Sequence, residues 1–302
     1  MENLNTLHQV VDWVEQQLAH AELHYGHGTD NARDEAAWLV LGALGLSFNT
    51  AESNLPASLS PQQKQQISNI LRQRIESRIP LAYLLRQAWF CGMEFYVDER
   101  VLIPRSPVAE LIDECFAPWV SPGEVNCILD IGTGSGCIAI AAAMAFPSAQ
   151  VDAVDISEDA LAVANINVEH YGLQQRLKLH QSNLFEELPP AKYDIIIANP
   201  PYVDAEDMAA LPAEYGQEPR RALEAGEDGL DLVRIIIEQS RTYLAETGIL
   251  VVEVGNSQPA LERAFPALSF LWLDFSHGGH GVFLLTAAQL DGLECLNTGN
   301  TH

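Results

Sequence analysis

The amino-acid sequence predicts an α/β domain with a mostly parallel sheet, preceded by an all-helical region. From Val125 onward, segments typical of strands alternate with segments typical of helices, as in sheets with helical crossovers. Over residues 1–86, apolar residues recur every three or four positions, which is the period of an α-helix. The last two predicted strands flank a glycine turn at 277–280, which predicts an antiparallel pair at the end of the sheet.

Residues 1–86 are predicted to form a small bundle of three or four helices. An apolar stripe runs through residues 7–18, and Ser60-Pro61 has the pattern of a helix cap with proline at the first helical position. His20, His24 and His27 lie close in sequence, but the glycine, asparagine and aspartate residues that follow favour a surface turn over a metal site. We expect no metal in this protein.

Residues 87–106 are predicted to join the two domains as a β-hairpin. Ala88–Val97 and Val101–Ile103 are aromatic and β-branched, and the charged residues 98–100 between them favour a turn. Arg105 follows this hairpin and is placed to bind a carboxylate of the substrate or to organise the cleft. An ordinary surface arginine fits the sequence equally well.

The predicted α/β domain spans residues 107–290, and the polar residues 291–302 are predicted to be a loose tail. A long acidic loop is expected over Ala205–Gly229. Strands are expected at Val125–Ile131, Gln150–Asp155, Leu177–Gln181, Tyr193 onward, Ile249–Val254, Leu268–Phe275 and Gly281–Thr286. Helices are expected at Cys137–Phe146, Ser157–Tyr171, Leu230–Leu244 and Gln258–Phe265.

Composition is that of an ordinary globular protein, with 48% hydrophobic and 19% charged residues over 302 positions. No apolar run is long enough to span a membrane and no signal peptide is visible, so we expect a cytoplasmic protein. The net charge of −25 disfavours a nucleic-acid substrate and attracts basic partners, although acidity also serves solubility alone.

A glycine loop follows the first strand of the α/β domain. Asp130 precedes it by two residues, and the loop itself is Gly132-Thr133-Gly134-Ser135-Gly136. Glycines allow a ligand to approach the backbone closely, but nicotinamide dinucleotides use a related loop. The glycine spacing and the extra carboxylate favour a cofactor with a sulfonium and an amino group over one with two phosphates.

Two further strand ends carry residues suited to this cofactor. Asp155 ends the second strand, where its carboxylate can accept both ribose hydroxyls. Asn183 follows the third strand and can bind an adenine edge, with Leu184 or Phe185 against the ring, although an asparagine that only forms a turn also fits.

The fourth strand ends in the sequence Tyr193–Tyr202, YDIIIANPPY. The two prolines lack an N–H and stop the strand at Asn199. The side-chain oxygen of Asn199 and the carbonyl of Pro200 are then two acceptors in a fixed relation, suited to both hydrogens of a planar –NH2 group, while Tyr202 packs on its flat face. Such a corner can orient a weakly nucleophilic nitrogen toward an electrophile.

Together these motifs resemble those of the glutamine-amide methyltransferases of the protein-synthesis machinery, which carry D-x-G-T-G-S-G and N-P-P-Y. The likeness extends through nearly the whole chain and includes Glu218-Pro219-Arg220 and Gly226–Gly229. It implies the fold of a class I S-adenosyl-L-methionine-dependent methyltransferase, with a Rossmann-like sheet ordered 3-2-1-4-5-7-6 whose last strand is antiparallel. The helical region would recognise the substrate.

The resemblance also implies roles for individual residues. The substrate glutamine amide would be held by Asn199, Pro200, Pro201 and Tyr202. S-adenosyl-L-methionine would be held by Asp130, Gly132, Thr133, Gly134, Ser135, Gly136, Asp155, Asn183 and Leu184. Direct displacement by the glutamine nitrogen would give N5-methylglutamine, without a metal or a nucleophilic residue of the protein.

Two branches of this family differ at the end of the hairpin. Enzymes that act on peptide-chain release factors have I-P-R-P-[DE]-T-E there, whereas this chain has Ile103–Ala109, IPRSPVA. That segment and Tyr25–Asn31, YGHGTDN, resemble the branch that methylates the third protein of the large ribosomal subunit, which is a basic partner. The alternatives are a release-factor enzyme, an adenine-N6 methyltransferase acting on RNA or DNA, and a non-catalytic module that binds the ribosome.

Overall fold

A computed structural model describes residue 4, residues 6–46, residue 50, and residues 58–276 and 278–291. Of the tail predicted over 291–302, only residue 291 is among the described residues. His277 of the predicted glycine turn also lies outside the described residues. In the part described, no helix has both the length and the apolar character needed to cross a membrane.

Four helices form the N-terminal region: α1 (Leu7–His20), α2 (Ala32–Ala43), α3 (Pro61–Ser77) and α4 (Leu81–Leu85). Ser60 caps α3 as its sequence indicates, because its hydroxyl accepts the N–H of Gln63 while the Gln63 side chain accepts the N–H of Ser60. The apolar faces of α1, α2 and α3 pack on one another around buried Val14, Leu39 and Ile67.

The connecting hairpin exists, but the predicted position of its turn is wrong. Its strands are β1 (Ala88–Phe90) and β2 (Met93–Phe95), and the turn is at Cys91 and Gly92, both with positive φ (47° and 68°). That pair of conformations matches the twist of a two-residue hairpin. Residues 98–100 form a local turn in which Asp98 accepts the N–H and the guanidinium of Arg100.

A seven-stranded sheet is the centre of the second domain. Its order is β5-β4-β3-β6-β7-β9-β8, and only β9 runs antiparallel to its neighbours. This is the predicted 3-2-1-4-5-7-6 arrangement. The strands are β3 (Cys127–Ile131), β4 (Gln150–Asp155), β5 (Leu177–Gln181), β6 (Tyr193–Ala198), β7 (Leu244–Glu253), β8 (Leu271–Trp272) and β9 (Val282–Thr286).

Helices cover both faces of the sheet. The one face carries α5 (Val108–Asp113) and α6 (Cys137–Ala145), and the other carries α9 (Asp231–Tyr243) and α10 (Gln258–Ala264). Helix α7 (Glu158–His170) lies between the domains, since its Ala160 and Val163 belong to the core of the helical region. Both faces of β6 are buried, as its run of three isoleucines indicates.

Two strand lengths differ from the sequence prediction. Strand β7 begins at Leu244, five residues before the predicted Ile249, because it continues directly from α9. Strand β8 keeps only Leu271–Trp272 of the predicted 268–275. As an edge strand, β8 pairs with β9 alone, and beyond its two residues a backbone hydrogen bond joins the N–H of Leu273 to the carbonyl of Val282 at 3.0 Å.

The segment predicted as one long acidic loop, 205–229, has structure of its own. It contains α8 (Ala205–Ala210) and two short 3-10 helices, Ala213–Gln217 and Arg220–Ala222. Its base is closed by backbone hydrogen bonds that join Val203 to Leu223 and Ala225. We call residues 203–225 the bridging loop, because its middle packs against the helical region.

Glu214 of the bridging loop is inserted into the helical region. It is 2% exposed, and its carboxylate accepts the backbone N–H of His24 at 3.1 Å. The guanidinium groups of Arg74 and Arg78 both lie 3.4 Å from the same oxygen. Arg74 is itself 1% exposed and also donates to Glu35 at 2.7 Å. A buried charge cluster therefore joins the two domains.

The histidine-rich turn is also part of this contact, which corrects its interpretation as a surface turn. His27 is buried, and its ring centroid lies 4.6 Å from that of Tyr215 in the bridging loop. His24 contacts the same ring at 5.5 Å. The described residues contain no group of three or more potential metal-binding side chains.

Candidate functional site

Strand register places the proline corner beside the glycine loop. Strands β3 and β6 are parallel neighbours, and Ile131 pairs with Ala198. The next residue on each strand is therefore Gly132 on one side and Asn199 on the other. A Cβ added to Gly132 would lie 3.8 Å from the backbone oxygen of Asn199. The two motifs meet at the carboxyl edge of the sheet, where open α/β sheets bind ligands.

The proline corner presents two hydrogen-bond acceptors to a cleft. Asn199 is half-buried and Pro200 is buried, and both line the cleft together with Pro201. Within the described part of the chain, no hydrogen bond occupies the side chain of Asn199 or the carbonyl of Pro200. Both groups are therefore available to a ligand in the cleft.

The glycine loop lines the same cleft through Gly132 and Gly134. Both residues have positive φ, 73° and 54°, a region in which side chains are disfavoured. The N–H of Gly134 donates to Oδ2 of Asp155 at 2.9 Å, so the loop is tied to the end of β4. Because glycine has no side chain, the backbone of Gly132 and Gly134 itself forms this part of the wall of the cleft.

Asp155 lies in the cleft with one hydrogen bond on each carboxylate oxygen. Oδ2 accepts from Gly134, and Oδ1 accepts the N–H of Ser157 at 2.9 Å. Burial raises the pKa of this carboxyl, although the two N–H groups and the charge of Arg221 oppose the shift. Each oxygen keeps a second lone pair, which suits a pair of ribose hydroxyls.

Asp130 is buried beneath the loop and does not line the cleft. Its Oδ2 accepts the hydroxyl of Thr133 at 2.6 Å, which fixes the first turn of the loop. Its Oδ1 is buried without a hydrogen-bond partner among the described residues. Burial raises the pKa of Asp130 to about 7. An orphaned carboxylate oxygen at this place fits a cofactor that brings positive charge.

The other predicted cofactor residues are divided between the cleft and the core. Asn183 and Leu184 line the cleft, although the side-chain amide of Asn183 donates to Glu186 at 3.0 Å. Ser135 is buried, and its carbonyl accepts the side-chain amide of Asn167 at 2.8 Å. Gly136 lies at the start of α6 rather than in the cleft. Thr133, Ser135 and Gly136 thus shape the loop, whereas its first two glycines line the cleft.

Tyr202 is not among the residues that line the cleft, although it is only three positions after Asn199. Its hydroxyl donates to Oε1 of Glu253 at 2.8 Å. Its pKa is raised well above the ordinary value by burial and then by the carboxylate of Glu253. The ring lies against Gly255. Tyr202 is therefore behind the corner, on the side away from the glycine loop.

Arg105 binds a carboxylate of the protein itself. Its terminal nitrogens donate to the two oxygens of Glu218 at 2.6 and 2.8 Å, and the N–H of Ile103 donates to the same carboxylate at 3.0 Å. The guanidinium lies 5.2 Å from the ring centroid of Tyr215. Of its two predicted roles, this geometry favours organising the cleft, because the bidentate face that would bind a substrate carboxylate is occupied.

Sequence reasoning missed several residues that line the cleft. Ile156 is 58% exposed although it is apolar, and it directly follows Asp155. Arg221 and Ala222 of the bridging loop also line it. An isoleucine directly after a strand-end aspartate could have been recognised in the sequence as a ligand contact. No local sequence pattern identifies Arg221.

Solved structures share the fold at low sequence identity. The catalytic domain of hMettl16, in a crystal structure with an RNA hairpin, matches with a TM-score of 0.50 at 16% identity. The match covers 75% of this chain and 81% of that chain. It supports the methyltransferase-like fold and no finer conclusion.

Family descriptions match both domains. The family described as "Methyltransferase small domain" matches residues 116–228. The family described as "PrmC N-terminal domain" matches residues 9–85. The first match contains the glycine loop and the proline corner, and the second contains the helical region.

Curated relatives match over nearly the full length. A "Ribosomal protein uL3 glutamine methyltransferase" of Bordetella pertussis is 49% identical over 96% of this chain and 98% of its own. Proteins of the same name from Burkholderia pseudomallei and Francisella tularensis are 48% and 45% identical, over 94% and 95% of this chain and 95% and 92% of their own. This chain therefore belongs to the family of ribosomal protein uL3 glutamine methyltransferases.

Proposed function

We propose that this protein methylates the side-chain amide nitrogen of a glutamine in ribosomal protein uL3, with S-adenosyl-L-methionine as the methyl donor. The product would be N5-methylglutamine. Relatives at 45–49% identity carry this activity in their names. The observation that carries the proposal is the pair of free acceptors, Asn199 and Pro200, beside the glycine loop.

The residues of the cleft fit the methyl donor. Gly132, Gly134 and Asp155 would bind its amino-acid and ribose parts, with Asn183 and Leu184 beside the adenine. The Oδ1 oxygen of Asp130, which has no hydrogen-bond partner among the described residues, favours a positively charged ligand. Positive charge near the glycine loop would stabilise the buried carboxylate. When bound, S-adenosyl-L-methionine supplies an electrophilic methyl group attached to a sulfonium.

The protein's own contribution is to orient the glutamine nitrogen. The side-chain oxygen of Asn199 accepts one N–H of the amide, and the carbonyl of Pro200 accepts the other. The two acceptors would stabilise the positive charge that develops on the nitrogen as its bond to the methyl carbon forms and the methyl–sulfur bond breaks, which leaves S-adenosylhomocysteine. The nitrogen then loses one proton to water. Tyr202 ends the corner, and its hydroxyl donates to Glu253.

The charge of the protein suits this substrate. A net charge of −25 attracts basic proteins and repels the phosphates of RNA. The enzyme would therefore bind the protein surface of uL3 and not ribosomal RNA, in the cytoplasm. The helical region and the bridging loop would bind the segment that surrounds the glutamine, because the bridging loop directly follows the corner and contacts the helical region through Glu214 and Tyr215.

The central test replaces Asn199 by alanine. We expect Asn199→Ala to lower turnover on purified uL3 by about two orders of magnitude, the scale of one oriented polar group, and to leave the Kd for S-adenosyl-L-methionine within about threefold. Methyl transfer from the radiolabelled donor gives kcat, and calorimetry gives Kd. Unchanged turnover in this variant would contradict the proposal.

Controls distinguish the proposed substrate from its alternatives. Asn183→Ala is a matched asparagine variant on the cofactor side of the cleft, and we expect it to weaken donor binding more than it lowers kcat. A release factor and ribosomal RNA serve as alternative acceptors. Label transferred to either of them faster than to uL3 would reassign the substrate.

A further inference from the structure

A buried carboxylate outside all the motifs holds Tyr202. The hydroxyl of Tyr202 donates to Oε1 of Glu253 at 2.8 Å, and the hydroxyl of Ser106 donates to Oε2 at 2.6 Å. Glu253 is the last residue of β7 and is 5% exposed. Ser106 is fixed in turn, since its Oγ accepts the N–H of Val108 at 3.2 Å. A chain of hydrogen bonds thus leads from α5 to the tyrosine ring.

The ring of Tyr202 is also fixed by its packing. A Cβ added to Gly255 would lie 2.6 Å from Cε2 of the ring, so only a glycine allows this contact. The backbone carbonyl of Tyr202 accepts the hydroxyl of Ser257 at 3.1 Å. Main chain and ring are therefore both attached to the segment that follows β7, and only the hydroxyl requires Glu253.

We propose that Glu253 is a positioning residue for the glutamine site: it holds the hydroxyl of Tyr202, the last residue of the NPPY corner, and thereby fixes the end of the segment that presents Asn199 and Pro200. This inference rests on the proposed function. Glu253 lies outside the cofactor cleft, and both of its oxygens already accept hydrogen bonds within the protein. It therefore acts through Tyr202 and not on the substrate.

Three variants test this role. Glu253→Gln keeps an acceptor for Tyr202 and can donate to Ser106, so we expect its kcat to stay within about threefold of wild type. Glu253→Leu and Tyr202→Phe each remove the hydrogen bond, and we expect kcat to fall about tenfold in both, the scale of one hydrogen bond. The Kd for S-adenosyl-L-methionine should change less than about twofold in all three.

The double variant Glu253→Leu/Tyr202→Phe adds a stricter criterion. Because both changes remove the same hydrogen bond, we expect kcat of the double variant to equal that of the slower single variant. Losses that multiply would overturn the inference, as would a Glu253→Gln enzyme as slow as Glu253→Leu. Thermal unfolding shows whether Glu253→Leu folds, and Tyr202→Phe supplies the comparison if it does not.

A second readout does not depend on turnover. With ring-labelled tyrosine, the NMR signal absent from Tyr202→Phe identifies Tyr202. We expect that signal to be broadened or shifted in Glu253→Leu and preserved in Glu253→Gln. An unchanged signal in Glu253→Leu overturns the positioning role. Failure of the proposed function is a different result, namely that wild-type protein transfers no methyl group to uL3.

Discussion

Asp130 is a buried carboxyl beneath the glycine loop whose pKa lies near neutral pH. Its carboxyl is 1% exposed and shares the hydroxyl of Thr133, while burial raises its pKa to about 7. The folded protein binds the proton of Asp130 more tightly than the unfolded chain does. The resulting contribution to the free energy of unfolding is fully present below pH 3.8 and is lost as the pH rises through about 7. Near neutral pH, Asp130 changes between its protonated and ionised forms, and a positively charged ligand favours the ionised form.

We predict that the affinity for S-adenosyl-L-methionine increases with pH through about 7, because the ligand's positive charge favours the ionised form of Asp130. Below that pH, affinity should fall by up to about tenfold per pH unit. Calorimetric titrations between pH 6 and 8.5 measure it. Asp130→Asn is the control, since ionisation of the ligand affects both proteins equally. An identical pH profile in the two proteins would refute the linkage.

At the residue scale, the sequence revealed the groups of the corner and the glycine loop because each lies at the end of a strand. It did not reveal Glu253, whose partners are 51 and 147 positions away in the chain. Nor could it show that Arg105 is paired with Glu218 across 113 positions. Such contacts depend on tertiary packing, which leaves no local pattern.

Among the structural elements, the bridging loop has the most consequences, because it contacts both domains. Glu214 joins it to the helical region, and Glu218 joins it to Arg105 and to Ile103 of the linker. Arg221 and Ala222, in the next turn, line the cofactor cleft. The same short segment therefore forms part of the domain contact and part of the cofactor site.

We predict that Glu218→Gln lowers the free energy of unfolding by about 3 kcal/mol at pH 7, as expected when a buried ion pair loses one partner. Burial alone would raise the pKa of Glu218, but His27 and Arg105 lower it to about 2. A lowered pKa gives stability above pH 4.5 that is lost as the pH falls toward 2. The deficit of the variant should therefore shrink in acid.

Urea unfolding of both proteins, at pH 7 and at several values below 4.5, measures this difference. Glu224→Gln is the matched control, because Glu224 is in the same loop but its pair with Arg220 is exposed to solvent. We expect that control to match wild type. A deficit in Glu218→Gln that is equally large at all pH values would contradict the electrostatic explanation.

Element boundaries were predicted well where sequence and environment agree. Strands β4 and β5 have the predicted bounds, and Ser157 caps α7 as expected. The hairpin was placed wrongly because its turn uses Cys91 in a left-handed conformation that glycine or asparagine normally adopts. The structure within the bridging loop was missed because it depends on contacts with the helical region.

At the scale of the whole molecule, the net negative charge affects the rate at which a basic partner associates. We predict that kcat/KM for uL3 falls by about tenfold between low and high salt, since a net charge of −25 accelerates the encounter through long-range attraction. Initial rates over a range of NaCl concentrations measure it. A short neutral peptide that contains the glutamine is the control, and its rate should not depend on salt. A salt-independent rate with uL3 would exclude electrostatic steering.

At this largest scale, the strand order was implied by the family resemblance, and the strand directions were predictable from the residues. Alternation of strands and helices predicts parallel neighbours, and a glycine turn near the end predicts the one antiparallel strand. The way the helical region contacts the sheet domain was not predictable. It depends on buried charges, including Glu214 and Arg74, that look like surface residues in the sequence.

The closed base of the bridging loop has an evolutionary consequence. Val203 and Ala225 are held together by backbone hydrogen bonds, directly after the NPPY corner. Within the loop, α8 has no buried residue, whereas the segment that carries Glu214 and Glu218 is held by buried charges. Substitutions in α8 would therefore alter the surface offered to a substrate protein while the catalytic corner stays in place.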